Sequence, residues 1–298
     1  MSGTVLQLRS HEVWRALEVV DPVATVAEYL IGRTVGRAGH RQDSPGRLIS
    51  WRGAGRNGTE LVLLDHPDAS GPCVLPAQSL RSAQVAALTA VAAREMLVSG
   101  GVTTALLGPG GDLQPQLEVI ARHVPDISHV ALCGVKTVDE LDPRVVDHLQ
   151  LSGIQLSLKP TVAEVVFGAN LVIAPNHPSA ARDLAEVRIG QLARGTLLVN
   201  ATGEDTPAEI VDQVDEIYVD DLGLLEHYPD RTVVGAHLTE PRIAGDLAQL
   251  LTGQHACRRR SGDIVLVELL GVPELNADLA FRIYEVATHS GLGVRIAN

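Results

Sequence analysis

From residue 102 to about residue 240 the chain alternates short apolar runs with amphipathic segments. "TTALLG", "SHVALCGV", "IQLSL", "NLVIAP", "GTLLVNAT", "EIYVDD" and "TVVGA" read as strands. "LQPQLEVIARHV", "VDELDPRVVDHLQLSG" and "TVAEVVFGA" read as the helices between them, the second interrupted by a proline. Strands alternating with helices at this spacing require parallel pairing with crossover connections, which is a doubly wound α/β sheet.

The flanks read differently. "HEVWRALEVVDPVATVAEYLIGRTV" has helical periodicity, and "RLISWRGAG" and "ELVLLDHP" are strands split by the turn signal Arg56-Asn57-Gly58. A long Ala-rich helix follows in "SLRSAQVAALTAVAAREMLVSGG", with Ser79 as its N-cap and Gly100-Gly101 as its stop. After residue 240 come a helix in "RIAGDLAQLLTG", a strand in "DIVLVELLG" and a last helix in "ELNADLAFRIYEVATHSG".

Bulk chemistry removes several function classes. The 298 residues are 45% hydrophobic and 20% charged, as in a packed protein, while aromatics are only 3%, so Val, Leu, Ile and Ala must build the core. A net charge of −12 leaves no surplus of cations to neutralise phosphates, so nucleic acid is not an expected partner. The run Arg258-Arg259-Arg260 reads as a solvated loop. Cys73, Cys133 and Cys257 are far apart and form no CxxC, so neither a disulfide framework nor a zinc site is expected; Cys133 reads as a buried thiol. No histidine cluster has metal-ligand spacing, so no metal is expected. With no apolar run of membrane length and no signal-peptide pattern, the expected location is the cytoplasm, away from membranes.

One turn carries candidate chemistry. In "LLGPGGDLQPQLEV" a strand meets Gly108, Gly110 and Gly111 and then a helix, the context in which backbone N–H groups cradle a pyrophosphate. Leu113 is larger than the small third residue of such turns, and Asp112 competes with a phosphate for the same donors. Read alone, the turn is either a dinucleotide site or a tight strand-to-helix corner. The second strand ends in "HVALC" and is followed by Gly134-Val135-Lys136, with no acid for the ribose hydroxyls. That suits NADP, with Lys136 as a partner for the 2′-phosphate, or a protein that has lost the cofactor. His177, in "APNHPS", is either plain polar surface or a candidate for acid–base work.

Together these motifs resemble the ornithine cyclodeaminase/mu-crystallin family along nearly the whole chain. Gly108, Gly110, Gln116 and Leu117 fall on the family's turn pattern G-x-G-x-Q-A-x-x-Q-L, and "LRSAQ" is similar to its "lRTaA". "GTLLVNATGEDTPAEI" resembles "GthvnavGgDxPgkxEl", and the C-terminal segment from Asp263 resembles "DitvfkSvGlaxqDlaxAxxvyexAxxxglG". The resemblance implies a Rossmann-type doubly wound domain, residues 99–275, inserted in a discontinuous α+β substrate-binding and dimerisation domain, residues 1–98 plus 276–298. It implies a homodimer through the apolar N-terminal strands. The implied activity is hydride transfer between NADP or NAD and the Cα of a small amino acid, cyclic imine or N-substituted amino acid.

Carried over residue by residue, Arg81 is the expected grip on a substrate carboxylate, a task that suits a guanidinium at a helix start. Asp205, or Glu204 beside it, is the expected catalytic acid. Gly108, Gly110, Gly111, Lys136, Asn176, His177 and Gly271 are the expected cofactor contacts. The departures are specific. No lysine precedes Lys136, so the family's substrate-binding lysine has no counterpart; Arg52 or Arg47 is the candidate stand-in, although arginine and lysine are not equivalent at a tight site. The family's "KSvG" is Glu268-Leu269-Leu270-Gly271. Two expectations therefore stand: an oxidoreductase with a reworked site, or a non-catalytic ligand- or protein-binding member.

Overall fold

Asp21-Pro22 divides the N-terminal helical stretch. Proline lacks an N–H and disfavours the helical conformation in the residue before it. Asp21 turns the break into a new start, its Oδ1 accepting from the Ala24 N–H at 2.8 Å. The structure is a computed structural model that describes residues 4–34, 46–52, 60–97, 100–108, 113–239, 241–255 and 262–297. After β1 (Thr4–Gln7) it shows α1 (Ser10–Leu17) and α2 (Pro22–Thr34) where periodicity alone predicts one helix. The chain forms two compact units, Met1–Gln84 with Val272–Asn298, and Val85–Gly271.

The first unit holds β1, β2 (Arg47–Arg52), β3 (Glu60–Asp65) and β4 (Cys73–Pro76), and the chain returns to it for α11 (Pro273–His289) and β13 (Val294–Ala297). Its five-stranded sheet runs β13-β1-β4-β3-β2, antiparallel except for the β1–β4 pair. The inward row Leu6, Cys73 and Leu64 is buried with Val13, Leu279 and Ile283 of α1 and α11. The alternate row is apolar apart from Gln7. Val294, Gln7, Val74, Leu63 and Ile49 are consecutive register partners across all five strands, and Ile49 and Val294 are each 53% exposed. α3 (Ala77–Met96) begins directly after Pro76, so Ser79 lies buried in its first turns and is not its cap.

The second unit carries β5 (Val102–Leu106), α4 (Leu113–His123), β6 (Ile127–Cys133), α5 (Pro143–Leu151), β7 (Gln155–Lys159), α6 (Val162–Val166), β8 (Leu171–Ala174) and α7 (Pro178–Glu186). There follow β9 (Leu197–Asn200), α8 (Ala208–Val211), β10 (Glu216–Val219), α9 (Thr232–Thr239), β11 (Ile243–Asp246), α10 (Leu247–Leu251) and β12 (Val265–Glu268). All eight strands are parallel, in the order β11-β10-β12-β9-β8-β5-β6-β7. The order reverses between β5 and β8, and such a switch point opens a crevice at the carboxyl ends of the strands.

Local chemistry accounts for the differences from sequence expectation. "TVVGA" is not a strand but the start of α9, because Val233 and Val234 bury themselves from a helix, and tertiary packing overrides β-propensity. "RIAGDLAQLLTG" is β11 followed by α10. Asp246 ends the strand and caps the helix, accepting from the Gln249 N–H at 2.8 Å. The Arg56-Asn57-Gly58 turn signal lies outside the described residues. Among the described residues no helix is long and apolar enough to cross a membrane.

Candidate active site

Glu268 ends an apolar strand, and the parallel register sets it beside Asn200 at the end of β9. Both lie at the sheet's carboxyl edge and are buried, Glu268 at 1% exposure. A buried carboxylate needs donors. Thr206 Oγ1 donates to Glu268 Oε2 at 2.6 Å, and Asn200 Nδ2 lies 3.1 Å from both carboxylate oxygens. Asn200 is itself oriented, because its Oδ1 accepts from the N–H and hydroxyl of Thr202 at 3.1 and 2.8 Å. Arg231, just before α9, closes the cluster. Its Nη1 is 3.7 Å from Glu268 Oε1 and 3.8 Å from Asp205 Oδ1, and its Nη2 donates to the Gly203 carbonyl. Asp205 also accepts from the Thr232 N–H at 3.2 Å, and its side chain is half exposed. Burial pushes the Glu268 carboxyl up to about 7. Thr206, Asn200 and Arg231 pull against that shift, and the Asp205 charge adds to it.

Two glycine turns flank this edge. Asp220, fully buried after β10, accepts from the Leu270 and Gly271 N–H groups at 3.0 and 2.7 Å. Burial nonetheless pushes its carboxyl up to about 6. At the switch point, the Gly108 N–H donates to Asp183 Oδ2 of α7 at 2.9 Å. Gly108 has φ +90°, and a Cβ there would lie 3.1 Å from the Ala180 Cβ, so only glycine fits. Burial raises the Asp183 carboxyl, the Glu186 charge adds to the rise, and the Gly108 bond opposes it.

The structure brings Asp205 to Arg231 and Glu268, and Gly108 to the start of α7 where His177 and Asn176 lie. His177 caps α7, its Nδ1 accepting from the Ser179 N–H at 3.2 Å. Lys136 is exposed just beyond β6. Arg81 belongs to the first unit and is already paired, with Nη2 2.7 Å from Glu60 Oε2 on β3. The backbone of Arg52 ends β2, opposite Glu60. Gly110, Gly111 and Asp112 lie outside the described residues. Cys133 is buried, and burial pushes its thiol up to about 11, with the Asp183 and Glu186 charges adding to the shift. Sequence reading did not single out Asn200, Thr206, Arg231, Asp220 or Asp183. The one available signal was the charged end of "VLVE", a buried apolar strand.

Two observations fit a dinucleotide at the switch point. One is the close packing of Gly108 on α7. The other is Gln116 in the first turns of α4, whose amide is buried at 1% exposure with neither atom hydrogen-bonded among the described residues. Asp183 opposes an anion there and must yield or hold a proton. Among the described residues no group of three or more His, Cys, Asp or Glu side chains is placed to hold a metal ion.

A doubly wound sheet with a switch-point glycine turn and an acid–guanidinium cluster on its carboxyl edge, inserted into a second α+β unit, defines a Rossmann-type α/β protein. The chain belongs to the ornithine cyclodeaminase/mu-crystallin family, whose pattern matches residues 53–291. An N-((2S)-2-amino-2-carboxyethyl)-L-glutamate dehydrogenase of Staphylococcus aureus is 22% identical over 264 residues, 87% of this chain and 75% of its own. The Δ(1)-pyrroline-2-carboxylate reductase of Thermococcus litoralis, solved in complex with NADH and L-proline, has a TM-score of 0.71 at 14% identity, covering 98% of this chain and 100% of that one. The crystal structure of CmnK gives a TM-score of 0.70 at 19% identity, covering 99% of this chain and 98% of that one.

Proposed function

We propose that this protein is an NAD(P)-dependent oxidoreductase acting at the Cα of a small amino acid, cyclic imine or N-substituted amino acid. The observation that carries the reading is the Asp205–Arg231–Glu268 cluster at the carboxyl edge of a doubly wound sheet. The dehydrogenase and reductase relatives named above support the same kind of chemistry. When bound, the nicotinamide supplies or takes the hydride. Asp205 handles the accompanying proton, giving it to or taking it from the substrate nitrogen through Oδ. In the first unit Arg81 is assigned the substrate carboxylate, which must displace or share it with Glu60; Arg52 is a second cation for the same task. The turn at Gly108, Gly110 and Gly111 is assigned the pyrophosphate, and Lys136, Asn176, His177 and Gly271 the rest of the cofactor. Calorimetric titration of the protein with NAD(H) and NADP(H) tests this, with binding of at least one expected. Failure of both at millimolar concentration overturns it.

A second reading, a non-catalytic ligand- or protein-binding member, is favoured by one observation. The N–H groups of Gly108 and Gly271, two expected cofactor contacts, are both taken by the protein's own carboxylates. In either case we infer a homodimer through the largely apolar outer row of the first unit's sheet. A monomeric mass in sedimentation at micromolar concentration overturns that inference.

A further inference from the structure

Arg231 has two carboxylates at nearly equal distance, 3.7 Å to Glu268 and 3.8 Å to Asp205. Both separations exceed a direct hydrogen bond, so the guanidinium is poised between them. It is held there by the Gly203 carbonyl and by the Tyr228 ring, whose centroid is 5.8 Å away. One positive charge balances one carboxylate, and a proton must neutralise the other if no surplus charge is to remain in a partly dry cluster. The two acids differ in their access to water, with side-chain exposures of 2% for Glu268 and 50% for Asp205. Among the described residues the charged groups acting on Glu268 are Arg231 and Asp205. β9 and its following turn present Asn200 and Thr206, and β10 sets Val219 beside it.

We propose that Glu268 is a positioning residue for Asp205, acting through Arg231. A protonated Glu268 releases the guanidinium to Asp205, and an ionised Glu268 draws it back. The charge that Asp205 presents to a substrate nitrogen is then set by a group that never touches the substrate. This rests on the reading of Asp205 as the proton-handling residue. The only bond made or broken is the O–H of Glu268, its proton exchanged with solvent. Because burial places the Glu268 carboxyl at about 7, the exchange falls in the neutral range. As the pH rises through it, Arg231 is drawn toward Glu268 and Asp205 loses part of its counter-charge.

The test is a carboxyl carbon-13 NMR titration of the full-length protein, with resonances assigned through E268Q and D205N. In D205N the Glu268 midpoint is expected to fall by about one pH unit, because a like charge is removed and Arg231 is left to Glu268 alone. An unmoved midpoint overturns the proposal. With an active substrate, the wild-type pH profile of kcat/KM is expected to bend near 7 and that of E268Q to lose the bend. A bend that survives E268Q also overturns it. Should E268Q not fold, T206V serves instead. It removes a hydrogen bond to the ionised form and must move the Glu268 midpoint upward, and no movement counts against the proposal. If no substrate is turned over, the functional reading fails while the NMR titration still decides the coupling.

Discussion

Gly108 and Gly271 occupy the same backbone region, φ +90° and +89°, and each gives its N–H to a carboxylate of the same unit. The carboxylates are held very differently. Asp220 is fully enclosed and takes two successive N–H groups, so the turn after β12 is closed by architecture. Asp183 takes one N–H from a partly exposed place on α7. A single bond near solvent contributes about 1 kcal/mol and can be exchanged for a better acceptor, whereas stripping two bonds from a dry carboxylate cannot be repaid by water. Of the two glycine turns, therefore, only the one at the switch point is built to give up its internal acid to an incoming phosphate.

The largest expected effect concerns the enclosed acids. Asp220 at about 6 and Glu268 at about 7 both bind protons more tightly in the folded state than model carboxyls at 3.8 and 4.5. For an acid shifted upward, the stabilisation is complete below the unfolded value and is lost as the pH rises through the folded one. Stability should therefore fall between about pH 4 and pH 7, by about 3 kcal/mol from each group, and then level off. Chemical denaturation across that range measures it, and E268Q should flatten the slope by about half. A stability that rises steadily over the same range would show that both carboxylates are satisfied as anions, and the contrast with Asp183 would collapse.

The next effect tests the exchangeable turn. D183N replaces a charged acceptor at Gly108 with a neutral one, so dinucleotide affinity should rise roughly tenfold, about 1.4 kcal/mol. The gain should shrink at high salt if Asp183 opposes the cofactor by charge. Calorimetry with NAD(H) and NADP(H) reads both. If affinity falls or stays the same, Asp183 is as much a part of its turn as Asp220 is of the other, and the second reading gains.

How much of this is visible in sequence follows from the range of each interaction. "LVIA" and "VLVE" are wholly buried strands, so their composition states their environment and the parallel sheet can be read directly. Asp205 and Gly108 stand out through motif spacing because the patterns that contain them are local in sequence. "TVVGA" misleads because two valines favour a strand until the packing of α9 is known. Arg231 and Asp183 are invisible for a different reason. Arg231 meets Glu268 37 positions away, and Asp183 meets Gly108 75 positions away, and no local pattern records either pairing. Only the fold makes these residues a site.

The smallest effect concerns His177, which sits at the head of the helix that carries Asp183. Its Nδ1 accepts from the Ser179 N–H at 3.2 Å and contacts the Ser179 hydroxyl, while Pro178 fills the first helical position where no N–H is needed. This is a cap, and removing a cap costs about 1 kcal/mol. H177A should lose that much stability, and H177N, which can accept the same bond, should keep most of it. If His177 serves only the seat of α7, dinucleotide affinity should follow stability, weakened slightly in H177A and unchanged in H177N. If instead H177N folds with wild-type stability and yet binds NAD(H) or NADP(H) several-fold more weakly, the imidazole itself meets the cofactor. In that case the Gly108 turn contributes more than a backbone corner to the binding site.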